Sequence, residues 1–279
     1  MNNNGFLLLD KPKGVSSFDL VRQVKKNYFE KVVGHSGTLD KEASGLMIIA
    51  LAKATRLLKY FIGLDKKYEV LACFGFKTAS FDASEEKIQV SNEKVSKEKI
   101  LEVIKNNFLG EISQVPPKYS ALKIKGERAS DIIRKGGDVE IKPRKITVFD
   151  FKLIKYDYPL VLFKVSCSSG TYIRSLVNDL GEILGVGAYV EELKRHKIGK
   201  YDLNDVSKEV INISDFVKKM PTFKLTTEEF QGLQNGKRLS SKNFPDLALN
   251  SFAFFENNCV GVLEKSQDGS IKLCKGIIK

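Results

Sequence analysis

The feature that most limits the fold of this chain is an uninterrupted apolar run at residues 45–51, which directly follows a glycine-rich loop. A run of this length bounded by glycine is typical of a central strand with neighbours on both edges. Four other segments have the apolar or alternating pattern of strands, at residues 5–10, 68–76, 144–154 and 161–167. The sequence therefore predicts a sheet with residues 45–51 in its interior.

Segments with a helical pattern separate these strands. Ser17 is a suitable N-cap for a helix over residues 17–27, and residues 52–62, 97–107 and 172–184 also have the pattern of helices. Strands and helices interleave without a strict βαβ rhythm. We therefore predict an α+β fold with a mixed, largely antiparallel sheet flanked by helices.

The pattern of apolar and polar residues changes near the C-terminal end of the sequence. Short apolar runs at residues 247–255, 259–263 and 271–278 alternate there with turn signals. This pattern predicts two domains, a large one over residues 1–219 and a small all-β domain over residues 220–279.

Charge indicates the class of partner. Lys and Arg total 46 against 34 Asp and Glu, which gives a net charge of +12 and an isoelectric point near 9.3. Residues 118–145 alone hold nine basic and four acidic side chains, with a Gly-Gly pair among them. A lysine-rich proteome would explain the total, but its local concentration favours a polyanion. The composition of this segment predicts an extended, mobile basic element.

Several other classes of function are disfavoured. The four cysteines are spread singly and there are two histidines, which predicts buried thiols and no metal site. The common glycine-rich nucleotide-binding motifs are missing, so no cofactor is predicted. No apolar run approaches the roughly 20 residues that span a bilayer, and the first residues lack the features of a secretory signal. We therefore expect a cytoplasmic protein that contacts no membrane.

Two loops of small residues carry the side chains best suited to chemistry. Residues 34–40 surround Asp40 and His35 with glycine and hydroxyl residues, so that Asp40 could be held rigidly at the mouth of a cleft. Residues 166–174 end at a helix start that carries Arg174, whose charge gains nothing from the helix dipole there. Either loop could also be a simple turn or cap. The pattern leaves open whether Asp40 and Arg174 meet.

Five segments, in order along the chain, resemble motifs of the TruB family of bacterial tRNA pseudouridine-55 synthases. They are 9–17 (LDKPKGVSS), 34–46 (GHSGTLDKEASGL), 67–82 with Lys67, Tyr68, Thr78 and Asp82, 114–129 (QVPPKYSALKIKGERA), and 167–188, which begins CSSGTYIRSL. Their common order over about residues 5–200 makes the resemblance very specific. Departures from the family pattern occur at Ser36, Lys41 and Ser44, and none of them removes a catalytic group.

The resemblance implies roles for particular residues. Asp40 falls on the catalytic aspartate and Arg174 on the arginine that pairs with it. Tyr68 falls on the tyrosine that stacks on the target base and helps to remove its C5 proton. Tyr172 and Leu193 fall on residues that line the uridine pocket.

The resemblance also implies how RNA is held. His35 falls on the histidine that enters the space left when the target nucleotide flips out. The basic segment, about residues 116–145, matches an insertion that clasps RNA, within a pseudouridine synthase fold over residues 1–219. Residues 220–279 resemble a PUA-type RNA-binding domain more loosely, since their net charge is only +2.

The implied function is isomerisation of uridine to pseudouridine in the T-loop of tRNA by base flipping, glycosidic cleavage and reattachment at C5, without metal or cofactor. We expect a monomer that needs no guide RNA and no protein partner. An RNA-guided pseudouridine synthase is one alternative, which the basic segment disfavours. A non-catalytic tRNA-binding chaperone is another, although it would need neither Asp40 nor Arg174. A ribosome-associated basic protein would explain the charge alone.

Overall fold

The computed structural model describes residues 4–120, 122–124, 126–240, 250–266 and 268–274, which form a large and a small β-sheet with short helices around them. The strands are β1 Gly5–Lys11, β2 Val33–His35, β3 Ser44–Leu51, β4 Lys66–Phe74, β5 Phe76–Lys77, β6 Ile88–Gln89, β7 Gly110–Gln114, β8 Lys123–Ile124, β9 Glu127–Arg128, β10 Arg144–Asp157, β11 Leu160–Cys167, β12 Ala188–Ile198, β13 Tyr201–Asp202, β14 Ser207–Asn212, β15 Thr222–Lys224, β16 Leu239–Ser240, β17 Ser251–Phe255, β18 Asn258–Lys265 and β19 Ser270–Cys274. The α-helices are α1 Ser17–Asn27, α2 Lys59–Ile62, α3 Lys97–Asn107, α4 Ala129–Arg134, α5 Ile173–Ile183, α6 Ile213–Val217 and α7 Thr227–Gln234.

The large sheet has its strands in the order β14-β1-β3-β12-β4-β11-β10-β7, with β2 paired to β3 and β13 to β12. These pairings are antiparallel except for a short parallel contact between β3 and β12. The predicted mixed, largely antiparallel α+β fold is therefore confirmed. The predicted central strand is β3, which has β1 along one edge and β12 and β2 in succession along the other.

Strand β3 is apolar throughout because both of its faces are buried. Met47 and Ile49 face a core that α1, α3 and α5 cover. Leu46 and Ile48 face a second core, which the large sheet shares with the small one. A strand buried on both faces loses the usual alternation of apolar and polar residues, which is the pattern found at residues 45–51.

The small sheet has the order β15-β17-β18-β19-β16 and packs against the large one through aromatic rings. The ring of Phe61 lies 5.2 Å from that of Phe6 in β1 and 6.2 Å from that of Phe252 in β17. Beside them, the Tyr60 hydroxyl donates a hydrogen bond to Glu264 at 2.8 Å. A small C-terminal β domain is thus confirmed, although helix α7 within it shows that it is not all-β, while the boundary at residues 219 and 220 and the PUA likeness stay predictions. Residues 247–249 and 275–278 of its predicted strands lie outside the described residues.

Two predicted helices differ in detail from the observed ones. The N-cap of α1 is Ser16, whose side chain accepts from the amide of Asp19 in a capping box, and Ser17 is the first helical residue. The predicted helix at residues 52–62 is instead a 3₁₀ turn, Ala52–Leu57, followed by the short helix α2. The chain turns sharply at the end of β3, where Ala52 has φ 51°, and the Asn4 side chain accepts a hydrogen bond from the Ala54 amide in the first turn.

Three further predictions can be compared with the fold. The basic segment contains the hairpin β8–β9 and helix α4, so it is not extended throughout, and its mobility stays a prediction. Three of the four cysteines are buried as expected, whereas Cys274 is partly exposed. Among the residues that the structure describes, no helix has the length and apolarity to cross a membrane.

Gly45 provides a test of the contact between β3 and β12. Its φ is 115°, and a Cβ atom there would lie 2.3 Å from the backbone oxygen of Arg195. We expect Gly45→Ala to lower the free energy of unfolding by about 3 kcal/mol, because the backbone of β12 cannot give way cheaply. The measurement is the midpoint of urea unfolding.

Gly63→Ala is the matched control for this substitution. Gly63 has φ −75° and open space around its Cα, so an added methyl group should be neutral or slightly stabilising. Equal midpoints for the two variants would contradict the close approach of β12 to Gly45.

Candidate active site

Asp40 lies in the loop that joins β2 to β3, and the start of α1 holds this loop in place. The Ser17 hydroxyl donates a hydrogen bond to the carbonyl oxygen of Leu39 at 2.8 Å and accepts one from the Leu39 amide at 2.9 Å. Ser17 and Leu39 are both almost completely buried. The residue before Asp40 is therefore fixed by two hydrogen bonds away from solvent, which limits the positions open to the carboxylate.

Lys11 holds the other side of the same loop. Its ammonium group is fully buried and donates to the carbonyl oxygens of Ala43 at 2.5 Å and Lys41 at 3.3 Å, and to those of Val15 and Pro12 within its own turn. Burial is the main cause that lowers the pKa of Lys11 to about 8. This ammonium group has a structural role and holds the loop in place, because its N–H donors are all bound to backbone carbonyl groups.

Arg174 meets Asp40 at the first turn of α5. Its Nη2 atom donates to Oδ1 of Asp40 at 3.1 Å, and its Nε atom lies 2.9 Å from Oδ2. The N–H of Nε is not directed at an acceptor, so that second contact is ionic. The two loops that the sequence could not place relative to one another thus share a single site. The Arg174 side chain is 5% exposed and that of Asp40 is 38% exposed, so only the carboxylate is open to a ligand.

A second carboxylate holds the far side of the guanidinium group. Nη1 of Arg174 lies 3.2 Å from Oδ2 of Asp82 and donates to the carbonyl oxygen of Ser80 at 2.7 Å. Asp82 is itself fixed by the Ser80 hydroxyl at 2.8 Å and by the Ser84 amide at 3.0 Å. Asp82 belongs to the motif at residues 67–82, but no role was predicted for it. The serines two residues before and after it were the available signal.

Tyr68 and Arg195 lie opposite one another on β4 and β12, behind Asp40. Arg195 is buried, and it donates to the carbonyl oxygens of Leu46 at 2.8 Å and Gly37 at 3.3 Å. Burial is the main cause that raises the pKa of the Tyr68 hydroxyl, with the charge of Arg195 acting against it. Tyr68 is therefore a protonated phenol at neutral pH. Sequence reasoning missed Arg195, because nothing in its local pattern shows that it is buried.

Tyr172 stands at the entrance of α5, where a buried amide side chain holds its backbone. Gln114 donates to the carbonyl oxygen of Tyr172 at 3.0 Å and accepts from its amide at 2.8 Å. The guanidinium group of Arg144 lies 4.6 Å from the centre of the Tyr172 ring. The Tyr172 ring is thus positioned by hydrogen bonds to its own backbone and by the charge of Arg144.

These side chains enclose a cavity of about 300 Å³. Five of the six predicted site residues line it: Asp40, Tyr68, Tyr172, Arg174 and Leu193. Three further cations, Lys66, Arg144 and Arg195, also line the wall, whereas Asp40 is its one carboxylate among the described residues. A cavity of this size and charge suits a small, partly aromatic molecule that carries phosphate.

His35 is the predicted site residue that does not line the cavity. It ends β2, and its Nδ1 atom accepts a hydrogen bond from the Gly37 amide at 3.2 Å. Burial, and then the charge of Arg195, lowers the pKa of its ring below the usual value. It therefore lies on the Asp40 loop as a largely neutral group beside the cavity.

The arrangement offers a positioned carboxylate and an aromatic ring. Among the described residues, no group of three or more His, Cys, Asp or Glu side chains could hold a metal ion. The contacts with the Arg174 guanidinium group fix the orientation of the Asp40 carboxylate, which suits nucleophilic attack or proton transfer at a bound substrate.

Comparisons with known proteins agree on one family. The model of the TruB family pseudouridylate synthase N-terminal domain matches residues 25–173, and that of the tRNA pseudouridylate synthase B C-terminal domain matches residues 174–222. The tRNA pseudouridine synthase B of Aquifex aeolicus is 39% identical over 86% of this chain and 88% of its own length. That of Clostridium tetani is 36% identical over 95% and 97%.

Solved structures show the same fold. A structure of an H/ACA ribonucleoprotein bound to a substrate RNA containing 2'-deoxyuridine has a TM-score of 0.72 at 22% identity, covering 99% of this chain and 86% of its own. An archaeal box H/ACA Nop10–Cbf5 complex has a TM-score of 0.70 at 22% identity, covering 99% and 86%. The predicted pseudouridine synthase fold is thereby confirmed.

The two hydrogen bonds between Ser17 and Leu39 predict how the Asp40 loop responds to substitution. In Ser17→Ala the Leu39 amide loses its acceptor, so its hydrogen exchange should become at least about fivefold faster, as expected for the loss of roughly 1 kcal/mol. Exchange measured residue by residue in the full chain tests this.

Ser16→Ala is the control, since it removes the cap of α1 but leaves the Ser17 hydroxyl in place. That variant should speed exchange in the first turn of α1 and not at Leu39. The same rate at Leu39 in both variants would refute the role of Ser17 in holding the loop.

Proposed function

This chain belongs to the TruB family, and we propose that it isomerises the uridine at position 55, in the T-loop of tRNA, with Asp40 as the catalytic carboxylate. As a member of that family it is an isomerase that converts uridine to pseudouridine in tRNA. The observation that carries the proposal for Asp40 is its two-point contact with buried Arg174 at the wall of the cavity.

The size of the cavity requires that the target base leave its stack. A volume of about 300 Å³ accepts a nucleoside but not a helical stem. The base therefore flips out of the T-loop, which costs a few kcal/mol of stacking. Stacking on the Tyr68 ring offsets part of that cost, at roughly 1–3 kcal/mol per base. His35, beside the cavity on the Asp40 loop, then fills the space that the base has left.

The reaction breaks the bond from C1' to N1 and forms one from C1' to C5. N1 gains a proton and C5 loses one, so no electrons are exchanged with a second reactant. Asp40 acts as nucleophile or as base at the sugar, and Arg174 keeps its oxygens aimed. Asp82 in turn fixes Arg174 from behind. Because Tyr68 keeps its proton at neutral pH, stacking is the role that its environment favours over removal of the C5 proton.

The surroundings of the cavity suit RNA. In the basic segment, Lys118 pairs with Asp138 at 2.6 Å and Lys145 pairs with Glu111 at 2.8 Å, all of them exposed. Exposed pairs contribute little stability, so the lysines can exchange their partners for phosphates at little cost. We propose that residues 116–145 clasp the T-arm and that residues 220–279 act as a PUA-type domain that binds RNA.

The enzyme is proposed to work as a cytoplasmic monomer without guide RNA or protein partner. The solved neighbours come from ribonucleoprotein complexes, but their likeness concerns the fold alone at 22% identity. Relatives at 36–39% identity over most of the chain are tRNA pseudouridine synthases B. A tRNA chaperone would use the same charged surface, yet it would have no use for a carboxylate and an arginine in a cavity of nucleoside size.

Release of tritium from tRNA labelled at uridine C5 tests the proposal. Wild-type chain should release it without any guide RNA, and Asp40→Asn should lower the rate by at least about a thousandfold, as expected when the central group of a catalytic unit is removed. Asparagine keeps the shape of the side chain and removes its charge. Binding of tRNA is measured in parallel to show that the variant still folds.

Asp157→Asn is the control, because Asp157 is an exposed carboxylate at the end of β10. It should release tritium at the wild-type rate. Tight binding by the wild type with no release would instead favour the chaperone. Release by Asp40→Asn at the wild-type rate would remove Asp40 from the mechanism.

A further inference from the structure

A second cavity, of about 390 Å³, opens on the reverse face of the large sheet. In a strand, successive side chains point to opposite faces. On β4, Lys66 lines the catalytic cavity and Lys67 lines the second one, while the buried residue Tyr68 between the two faces borders both cavities. The two cavities therefore lie on opposite faces of the sheet with Tyr68 as a shared wall, and the lysines of the second cavity are not part of the site already described.

The lysines that line this second cavity face one another across neighbouring strands. Lys152 of β10 lies directly opposite Lys164 of β11, and Lys67 of β4 lies directly opposite Lys197 of β12. Like charges that face one another across antiparallel strands destabilise the sheet. Since β10, β11, β4 and β12 are neighbours in that order, the four ammonium groups form one patch across the sheet.

Two carboxylates pair with two of these lysines. Lys152 pairs with Asp150 at 2.9 Å and Lys197 pairs with Asp202 at 2.6 Å. Glu69 of β4 lies directly opposite Lys164, yet the exposed side chains of Lys164 and Lys67 make no ion pair with any residue that the structure describes. Both are thus available to a ligand that brings negative charge.

A β-bulge in β12 supplies a further group. The register of β12 against β4 shifts between Arg195 and Lys197, so that His196 is the extra residue. Residues two apart in a regular strand share a face, but here Arg195 lines the catalytic cavity and Lys197 the reverse one. The Nε2 atom of His196, which also lines the reverse cavity, is buried and has no hydrogen-bond partner in the described part of the chain. A polar atom left in that state is costly unless something binds to it.

We propose that the reverse cavity binds a phosphate group between Lys67 and Lys164, with His196 as an additional hydrogen-bond donor. Ser166 and Asn204 add polar groups to the same wall. Donors that converge from three strands and a loop match an anion with several oxygens around one centre, and lysine is a common point-charge partner of phosphate. The phosphate comes either from an RNA backbone or from a free phosphorylated molecule. This site does not depend on the catalytic role of Asp40.

Titration of the full chain with inorganic phosphate, at constant ionic strength, tests the proposal. The probe is the NMR signal of the imidazole rings, which is simple to follow because the chain has two histidines, His35 and His196. We expect a saturable shift at His196 and none at His35. Lys67→Gln combined with Lys164→Gln should weaken the apparent affinity at least about tenfold, since two charge-assisted contacts are removed.

Lys97→Gln combined with Lys105→Gln is the matched control, because both are exposed lysines on α3. This variant should bind phosphate like the wild type. An unchanged His196 signal, or equal affinities in the two double variants, would overturn the proposal.

Addition of saturating tRNA distinguishes the two sources of phosphate. If RNA supplies the group, tRNA itself shifts the His196 signal and abolishes the phosphate titration. If the ligand is a free phosphorylated molecule, the titration is the same with tRNA bound. Both results keep the phosphate site, and neither depends on whether tritium release requires Asp40.

Discussion

The buried guanidinium group of Arg174 is the interaction on which the site depends. It contacts oxygen atoms from three separate parts of the chain: Asp40, the turn that holds Ser80 and Asp82, and Tyr119. A buried cation is tolerated only when its charge is compensated, and here two carboxylates compensate it while two carbonyl groups accept hydrogen bonds from it. Each of those three segments is consequently held in place by the same group that aims the Asp40 carboxylate.

The burial of the large sheet limits where a reactive side chain can lie. Because β3 is buried on both faces, it can carry no reactive side chain, and the nearest available position is the loop in front of it. That loop is then fixed by Ser17, Lys11 and Arg195, each of which donates to one of its backbone carbonyl groups. The same sheet, through the bulge at His196, presents cations on both of its faces.

Much of the fold could be predicted because it depends on the order of apolar, polar and small residues within single segments. Helix α3 has a clear helical period, strand β3 is an uninterrupted apolar run, and the Asp40 and Arg174 loops have distinctive small residues. The turn at Ala52, the burial of Lys11 and the pairing of Asp82 could not be predicted. They depend on which segments meet in space, and a lysine or aspartate reads the same in sequence whether it is buried or exposed. The bulge at His196 was hidden for the same reason, since only pairing with β4 reveals the extra residue.

The contacts of Arg174 and Arg195 also determine when the site can form during synthesis of the chain. Arg174 lies 134 residues after its partner Asp40, and Arg195 lies 149 residues after Leu46, to which it donates. Such distant contacts form late, since long segments must be closed before they are made. A chain emerging from the ribosome therefore cannot complete the Asp40 loop until β12 has been synthesised. A nascent chain that stops earlier therefore has no assembled site with which to act on RNA.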